Sequence, residues 1–181
     1  MNLWRQGVQS TRILCTVKPS CRTFSGLGRK HHERRLIKFP AEHIFNIVSD
    51  VNQYKHFVPW CKGSRVITAT ENSMDAELKV GFGYLNEKYM SKVTMQRPLV
   101  VTAISTQTNL FEYLKTEWKF SPARDPSSTW VTFQIDFKFK SSIYNNLCDV
   151  FMTEVVDKMV RAFEQRCRVV KVCKVMQKPD S

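Results

Sequence analysis

Glycine is scarce, with six in 181 residues. None falls into GxGxxG, GxxxxGK[ST] or GxSxG, which excludes the motif-borne phosphate cradles and the hydrolase nucleophile elbow. The six cysteines include no CxxC pair, and the four histidines (His31, His32, His43, His56) form no HExxH and follow no cysteines at zinc-finger spacing. No metal site is therefore expected. No flavin or nicotinamide fingerprint occurs, so no redox cofactor is expected either. Long apolar runs are also missing. Patches such as Leu99-Val100-Val101 are strand-sized, far from the ~18 residues of a membrane span. Asp and Glu are absent from residues 1–32, the first acid being Glu33.

What the chain has is positive charge, +12 in all, unevenly placed. Residues 1–32 hold Arg5, Arg12, Lys18, Arg22, Arg29 and Lys30 among interspersed Ser and Thr. Basic, hydroxylated and acid-free is the composition of a mitochondrial transit peptide, and no segment here has the apolar core of a secretory signal. Arg22-Thr23-Phe24-Ser25 matches the Arg-x-Phe-Ser pattern of matrix presequences. The expected organisation is a transit peptide over 1–24, a linker over 25–32, a domain over 33–174 and a tail over 175–181. A basic RNA-binding tail is the alternative for the first segment. Residues 158–178 carry +6, and the body from 25 to 157 only +3. Cys61, Cys148, Cys167 and Cys173 remain in the domain, where buried or incidental thiols are expected.

Apolar spacing organises the rest. Glu33–Phe39 predicts a first strand ending at Pro40. Ile44, Phe45, Ile47 and Val48 predict a helix from Pro40, at N1, to about Ser49. Asp50–Phe57 predicts a second short helix, stopped before Pro59. Six strands are then expected: Arg65–Thr70, Met74–Phe82, Tyr89–Met95, Leu99–Thr106, Leu114–Phe120 and Val131–Phe139. The last alternates most clearly, with Val131, Phe133, Ile135, Phe137 and Phe139 on one face. Gly81–Leu85 predicts a turn. Ser141 or Ser142 can cap a long helix, whose apolar face runs from Ile143 through Leu147, Phe151, Val155 and Met159 to Phe163. The fold class is α+β: a twisted antiparallel sheet wrapped around one long C-terminal helix, with two short helices after the first strand, a helix-grip arrangement. The gap between sheet and helix is where a ligand cavity forms.

Inward-facing Leu78, Val80, Phe82, Tyr89, Val93, Leu114, Trp118, Phe133, Ile135 and Phe137 are candidates to line that cavity opposite Leu147, Phe151 and Val155. Phe57 and Trp60 join them from an apolar loop. Any one of these taken singly is more readily an ordinary core residue, since every sheet face needs a core, and the case for a cavity rests on the set. Tyr89, Ser91 and Thr116 are polar exceptions on the inward face that suit hydrogen bonding to a bound head group, or to one another. Arg161, Arg166, Arg168, Lys171 and Lys174 suit contact with an anionic membrane. A solvated helix end whose cations complement the helix dipole is the alternative.

The chain resembles the mitochondrial coenzyme Q-binding family of the START-like, polyketide cyclase/dehydrase superfamily. The resemblance rests on Glu33–Ile37, Val48–Tyr54, Phe57–Ser64, Leu78–Phe82, Glu87–Tyr89, Trp118–Pro122, Phe133–Phe137, Glu154–Val156 and Ala162–Arg166, covering about residues 33–168. It departs at Gly83-Tyr84-Leu85. It implies a non-catalytic, matrix-side, peripheral inner-membrane protein. Its bound ligand would be ubiquinone or a prenylated precursor, with no covalent cofactor. The implied role is support of respiratory electron transfer and ubiquinone biosynthesis beside respiratory or quinone-synthesis complexes. Two other classes stay open. A polyketide cyclase-like enzyme would need an acid or base in the cavity, and Glu87 is the one plausible inward carboxylate by strand parity. A ribosome- or RNA-associated protein would need a basic stripe with interleaved aromatics. The cations gather at the helix end instead, so no nucleic-acid partner is expected.

Overall fold

Strict alternation builds the sheet from its most legible strand outward. In β7 (Thr129–Phe139) the side chains of Val131, Phe133, Ile135, Phe137 and Phe139 are all buried, with half-buried residues between them. The computed structural model describes residues 28–82, 85–106, 108–141 and 157–176. The other strands are β1 (Gly28–Ile37), β2 (Cys61–Ala69), β3 (Ser73–Phe82), β4 (Leu85–Gln96), β5 (Val100–Thr106) and β6 (Phe111–Pro122). They form one seven-stranded antiparallel sheet in the order β1-β7-β6-β5-β4-β3-β2. The six-strand meander and its closing helix are as the sequence predicts.

Strand starts differ from expectation. β1 begins at Gly28, and Gly28–His32, expected as linker, pair with Lys138–Gln134 of β7. Arg29-Lys30-His31-His32 shows no apolar alternation because it lies on an open edge, where charge discourages pairing with another chain. β2 begins at Cys61 rather than Arg65, through a register shift between Cys61 and Gly63 that breaks the period of two. The expected turn at Gly81–Leu85 is shorter, since the ladder runs on to Phe82 opposite Leu85.

Two helical pieces follow β1. α1 (Ala41–Ser49) buries Ile44, Phe45, Ile47 and Val48. Pro40 sits one position earlier than expected, at the N-cap, with extended backbone and a carbonyl that accepts from Ile44 N at 3.2 Å. The second short helix is a 3-10 helix, Val51–His56. The described part of the C-terminal helix is α2 (Asp157–Met176), which buries Val160, Phe163 and Cys167 at helical spacing. The expected cap at Ser142, and Ile143 through Val156, lie outside the described residues, as do residues 1–27 and 177–181 and with them the expected presequence.

Phe163 joins the layers. Its ring lies 4.8 Å from Trp118 of β6, 5.0 Å from Phe57 and 5.2 Å from Tyr54 of the 3-10 helix. His43 Nε2 of α1 lies 2.9 Å from the Cys167 carbonyl, a second tie onto α2. Thr129 Oγ1 donates to the Phe39 carbonyl at 2.8 Å and fixes the chain between β1 and α1 against β7.

Two outcomes follow from this packing. Phe163→Ala should lower the unfolding free energy by about 3–5 kcal/mol, read as a fall in urea midpoint; a loss below about 1 kcal/mol would remove Phe163 as the joint. Burial raises the Tyr54 and Tyr89 hydroxyls well above their ordinary value. An unfolded tyrosine ionises near pH 10, so the native state then binds more protons than the unfolded one. Stability should be independent of these groups below about pH 10 and fall above it, by up to about 1.4 kcal/mol per pH unit for each. Urea titrations of wild type and Tyr89→Phe across pH 8–11.5 measure the slope, which the variant should reduce.

Candidate functional site

The concave face of the sheet carries large side chains around its rim and small ones at its centre. Ala76 of β3 stands opposite Ser91 of β4, and Ser91 opposite Ser105 of β5. One inward position along, Ala103 of β5 lies between Val93 and Thr116. Methyl and hydroxymethyl groups cannot fill the span between sheet and α2. A cavity of about 160 Å³ remains, lined by Ser91, Ala103 and Ser105 among others. A dry apolar cavity of about 150 Å³ is large enough to take up benzene.

Its walls are mostly apolar. Leu78, Val80, Val93, Val101, Leu110, Phe111, Leu114, Trp118, Ile135 and Phe139 come from the sheet side, and Met159 and Phe163 from α2. Val51 and Tyr54 contribute from the 3-10 helix, and Val58, Pro59 and Trp60 from the loop after it. Trp60 is in the left-handed region (φ 61°), which a bulky residue rarely adopts. Its carbonyl accepts from Gly81 N at 2.8 Å, pinning the loop to β3, and Lys158 Nζ lies 5.6 Å from its ring.

Polar groups come from the sheet wall: Glu87, Tyr89 and Ser91 of β4, Ser105 of β5 and Thr116 of β6. Glu87 Oε1 accepts from Asn109 N at 3.2 Å. The Tyr54 hydroxyl donates to the Val48 carbonyl. Burial keeps the Tyr89 hydroxyl protonated at neutral pH, a donor rather than a base. The Cys61 thiol also lines the cavity, donates to the Gly63 carbonyl at 3.4 Å and is pushed up by burial. Cys167, buried in α2, is pushed up to about 12. Both thiols are therefore protonated at neutral pH and poor nucleophiles. Ser105 Oγ is buried with no hydrogen-bond partner. Among the described residues, no group of three or more His, Cys, Asp or Glu could hold a metal ion.

The cavity brings together Trp60, Leu78, Val80, Tyr89, Ser91, Val93, Leu114, Thr116, Trp118 and Ile135, all candidates from the sequence. Three candidates are not among its lining residues. Phe133 packs under Trp118 at 4.5 Å, and Phe137 is enclosed by Phe111 at 5.9 Å and Phe139 at 5.3 Å. Phe57 faces Tyr54, Phe163 and the Arg166 guanidinium. The side chains of Phe82, Leu147, Phe151 and Val155 lie outside the described residues. Sequence reasoning missed Ser105, Ala103 and Val101 because β5 mixes apolar and hydroxylated residues on both faces, without the strict alternation that marks an inward side. It missed Phe111 because β6 begins earlier than its alternation, while Phe139 shares the parity of Ile135 and was legible.

The basic end of α2 is partly used within the chain. Arg166 stacks 5.4 Å over Phe57, Lys171 lies 5.6 Å from Phe39, and Arg168 pairs with Glu164 at 2.5 Å. Arg161 is exposed, and the Lys174 side chain lies outside the described residues. Among the described residues, no helix is long and apolar enough to cross a membrane.

The family model described as "Polyketide cyclase / dehydrase and lipid transport" matches residues 37–164. Coenzyme Q-binding protein COQ10 homolog B, mitochondrial, of Xenopus laevis is 38% identical over 145 residues, 77% of this chain and 59% of that protein. Ribosome association toxin RatA of Rickettsia prowazekii is 31% identical over 140 residues, 75% of this chain and 94% of that protein. The chain spans about three fifths of the length of the first coenzyme Q-binding relatives it matches. Among solved structures, the Zhui aromatase/cyclase from Streptomyces superposes with a TM-score of 0.70 over 78% of this chain and 94% of that one, at 12% identity, and so shares the fold. Coenzyme Q-binding protein COQ10, mitochondrial, of Saccharomyces cerevisiae is 32% identical over 165 residues, 79% of that protein, and with the family-model match over residues 37–164 this places the chain in the mitochondrial coenzyme Q-binding protein family of the polyketide cyclase/dehydrase and lipid-transport proteins.

Proposed function

We propose that this protein binds coenzyme Q or its prenylated precursors in the cavity between sheet and α2, without chemistry on the ligand, as a carrier or chaperone in respiration and ubiquinone biosynthesis. The observation that carries the reading is a ring-sized apolar cavity with hydroxyls along one wall. A substituted quinone ring fits that volume, and the polyprenyl tail extends past it. Each isoprene unit moved from water to apolar surroundings contributes roughly 4 kcal/mol before ordering costs, at ~0.8 kcal/mol per carbon.

The aromatase/cyclase neighbour raises an enzymatic alternative. Ring closure needs a positioned acid or base. The cavity offers Glu87, already accepting a backbone N–H, and tyrosines held protonated. Such groups bind and orient a ligand, and a binding role uses all of them. The ribosome-linked relative makes RNA association a further outcome for experiment to exclude.

The mitochondrial names of the relatives and the acid-free first segment support import by a presequence over 1–24, and residence on the matrix side of the inner membrane. Arg161, Arg166, Arg168, Lys171 and Lys174 then form the membrane-facing patch, beside respiratory or quinone-synthesis complexes. Near an anionic surface each contributes about 1 kcal/mol.

The full chain purified from a ubiquinone-producing bacterium should release a prenylquinone on solvent extraction. Ala103→Leu, which fills the cavity from its centre, should reduce the bound quinone at least ten-fold while circular dichroism stays native. Extraction of no prenylquinone, with none taken up from vesicles, rejects the carrier reading; steeply salt-dependent RNA binding in its place would favour the ribosome-linked one. In co-sedimentation with cardiolipin-containing vesicles, Arg161→Glu with Arg168→Glu should weaken binding by more than ten-fold and leave quinone affinity in detergent unchanged. Unchanged sedimentation would dismiss the patch.

A further inference from the structure

Ser105 is the one described side chain whose buried polar atom has no hydrogen-bond partner, and it lines the cavity. Its register partner across the ladder is Ser91, which is 4% exposed and lines the cavity too. On the far side of Ser91 stands Ala76, fully buried, which has no polar group to offer. Two serines thus stand opposite one another at the narrow-side-chain centre of the cavity wall, without a hydrogen bond to the Ser105 hydroxyl. A buried hydroxyl without a partner is destabilising relative to alanine, so a ligand atom that pairs with it makes the position favourable.

We propose that Ser105, with Ser91 opposite it, is the subsite that holds a ring oxygen of the bound ligand, and that it accepts the oxidised and reduced rings alike. This rests on the quinone reading above. The chemistry of the hydroxyl carries the second half. A serine hydroxyl donates one hydrogen and offers lone pairs. It donates to the carbonyl oxygen of a quinone and accepts from the hydroxyl of a quinol. A carboxylate accepts only and would select the quinol, whereas an ammonium or guanidinium donates only and would select the quinone. Glu87 lies two inward positions along β4 from Ser91, beyond Tyr89, and its carboxylate already holds Asn109 N. The hydroxyl pair therefore sets a redox-neutral contact, as a carrier loading at one site and unloading at another requires.

The test uses the full chain and three probes followed by tryptophan fluorescence: decylubiquinone, its dithionite-reduced quinol, and squalene, which has an apolar polyprene body and no oxygen. Ser105→Ala should weaken quinone and quinol alike by about three- to ten-fold, the usual range for a neutral hydrogen bond, and leave squalene unchanged. Ser91→Ala should act in the same direction. A thermal melt within a few degrees of wild type shows that each variant is folded. An equal loss for squalene would mean altered packing and overturns the subsite. So does an unchanged quinone affinity. A loss confined to one redox state overturns the redox-neutral contact. Wild type that binds squalene as tightly as quinone overturns the subsite while leaving a lipid carrier. Wild type that binds none of the three rejects the quinone reading, and the subsite with it.

Discussion

The joint at Phe163 is the contact on which the rest of the molecule depends. A seven-stranded antiparallel sheet with two open edges has one apolar face and cannot exclude water from it alone. α2 must cover that face, and Phe163 is where it does so, with Trp118, Phe57 and Tyr54 each within 5.2 Å ring to ring. Edge and tilted geometries of this kind add roughly 0.5–1.5 kcal/mol per pair beyond burial. Two of the three partners, Tyr54 and Trp118, also line the cavity, as does Phe163 itself. The contact that closes the fold is thus one wall of the site, and a ligand in the cavity touches the groups that hold helix to sheet.

The cavity is a deliberate-looking gap with a local cause. Had Ala103 and Ser105 been Val or Leu like their neighbours Val101 and Leu114, the concave face would pack shut. A void of about 160 Å³ forfeits about 4 kcal/mol at ~24 cal/mol per Å³, a large part of the stability of a domain this size. A ring-sized apolar ligand restores those contacts. Stability and occupancy are coupled in such a cavity: a form filled by an apolar ring would be the better packed one.

Much of this was legible in the residues. β7 could be read outright because both its faces are constant along its length, and the helical stripe of α1 likewise. The resemblance in Phe57–Ser64 pointed to the loop that carries Trp60. What could not be read follows from physics that a period does not carry. Edge strands are guarded by charge, so Arg29–His32 looked like linker. Bulges shift the period, so the start of β2 at Cys61 was hidden. Parity separates inside from outside but not core from cavity: Phe133, Phe137 and Ile135 share one face, yet only Ile135 meets the void. The difference lies in the neighbours, since Trp118 covers Phe133 while small residues two strands away leave Ile135 exposed to space. Side-chain size across strands, not along one, shapes the pocket, and pairing register was not available from spacing.

The charge at the C-terminal end takes its meaning from the same packing. Arg166, Lys171 and Lys158 are each within 5.6 Å of an aromatic ring of the body, over Phe57, Phe39 and Trp60. A cation placed on a ring keeps part of its hydration and still presents its field outward. These residues thereby fasten α2 along its length and leave a positive surface beside the loop that lines the cavity. Trp60 is held from two sides, by Lys158 of α2 at its ring and by Gly81 N of β3 at its carbonyl, so the loop that lines the cavity is fixed to helix and sheet at once.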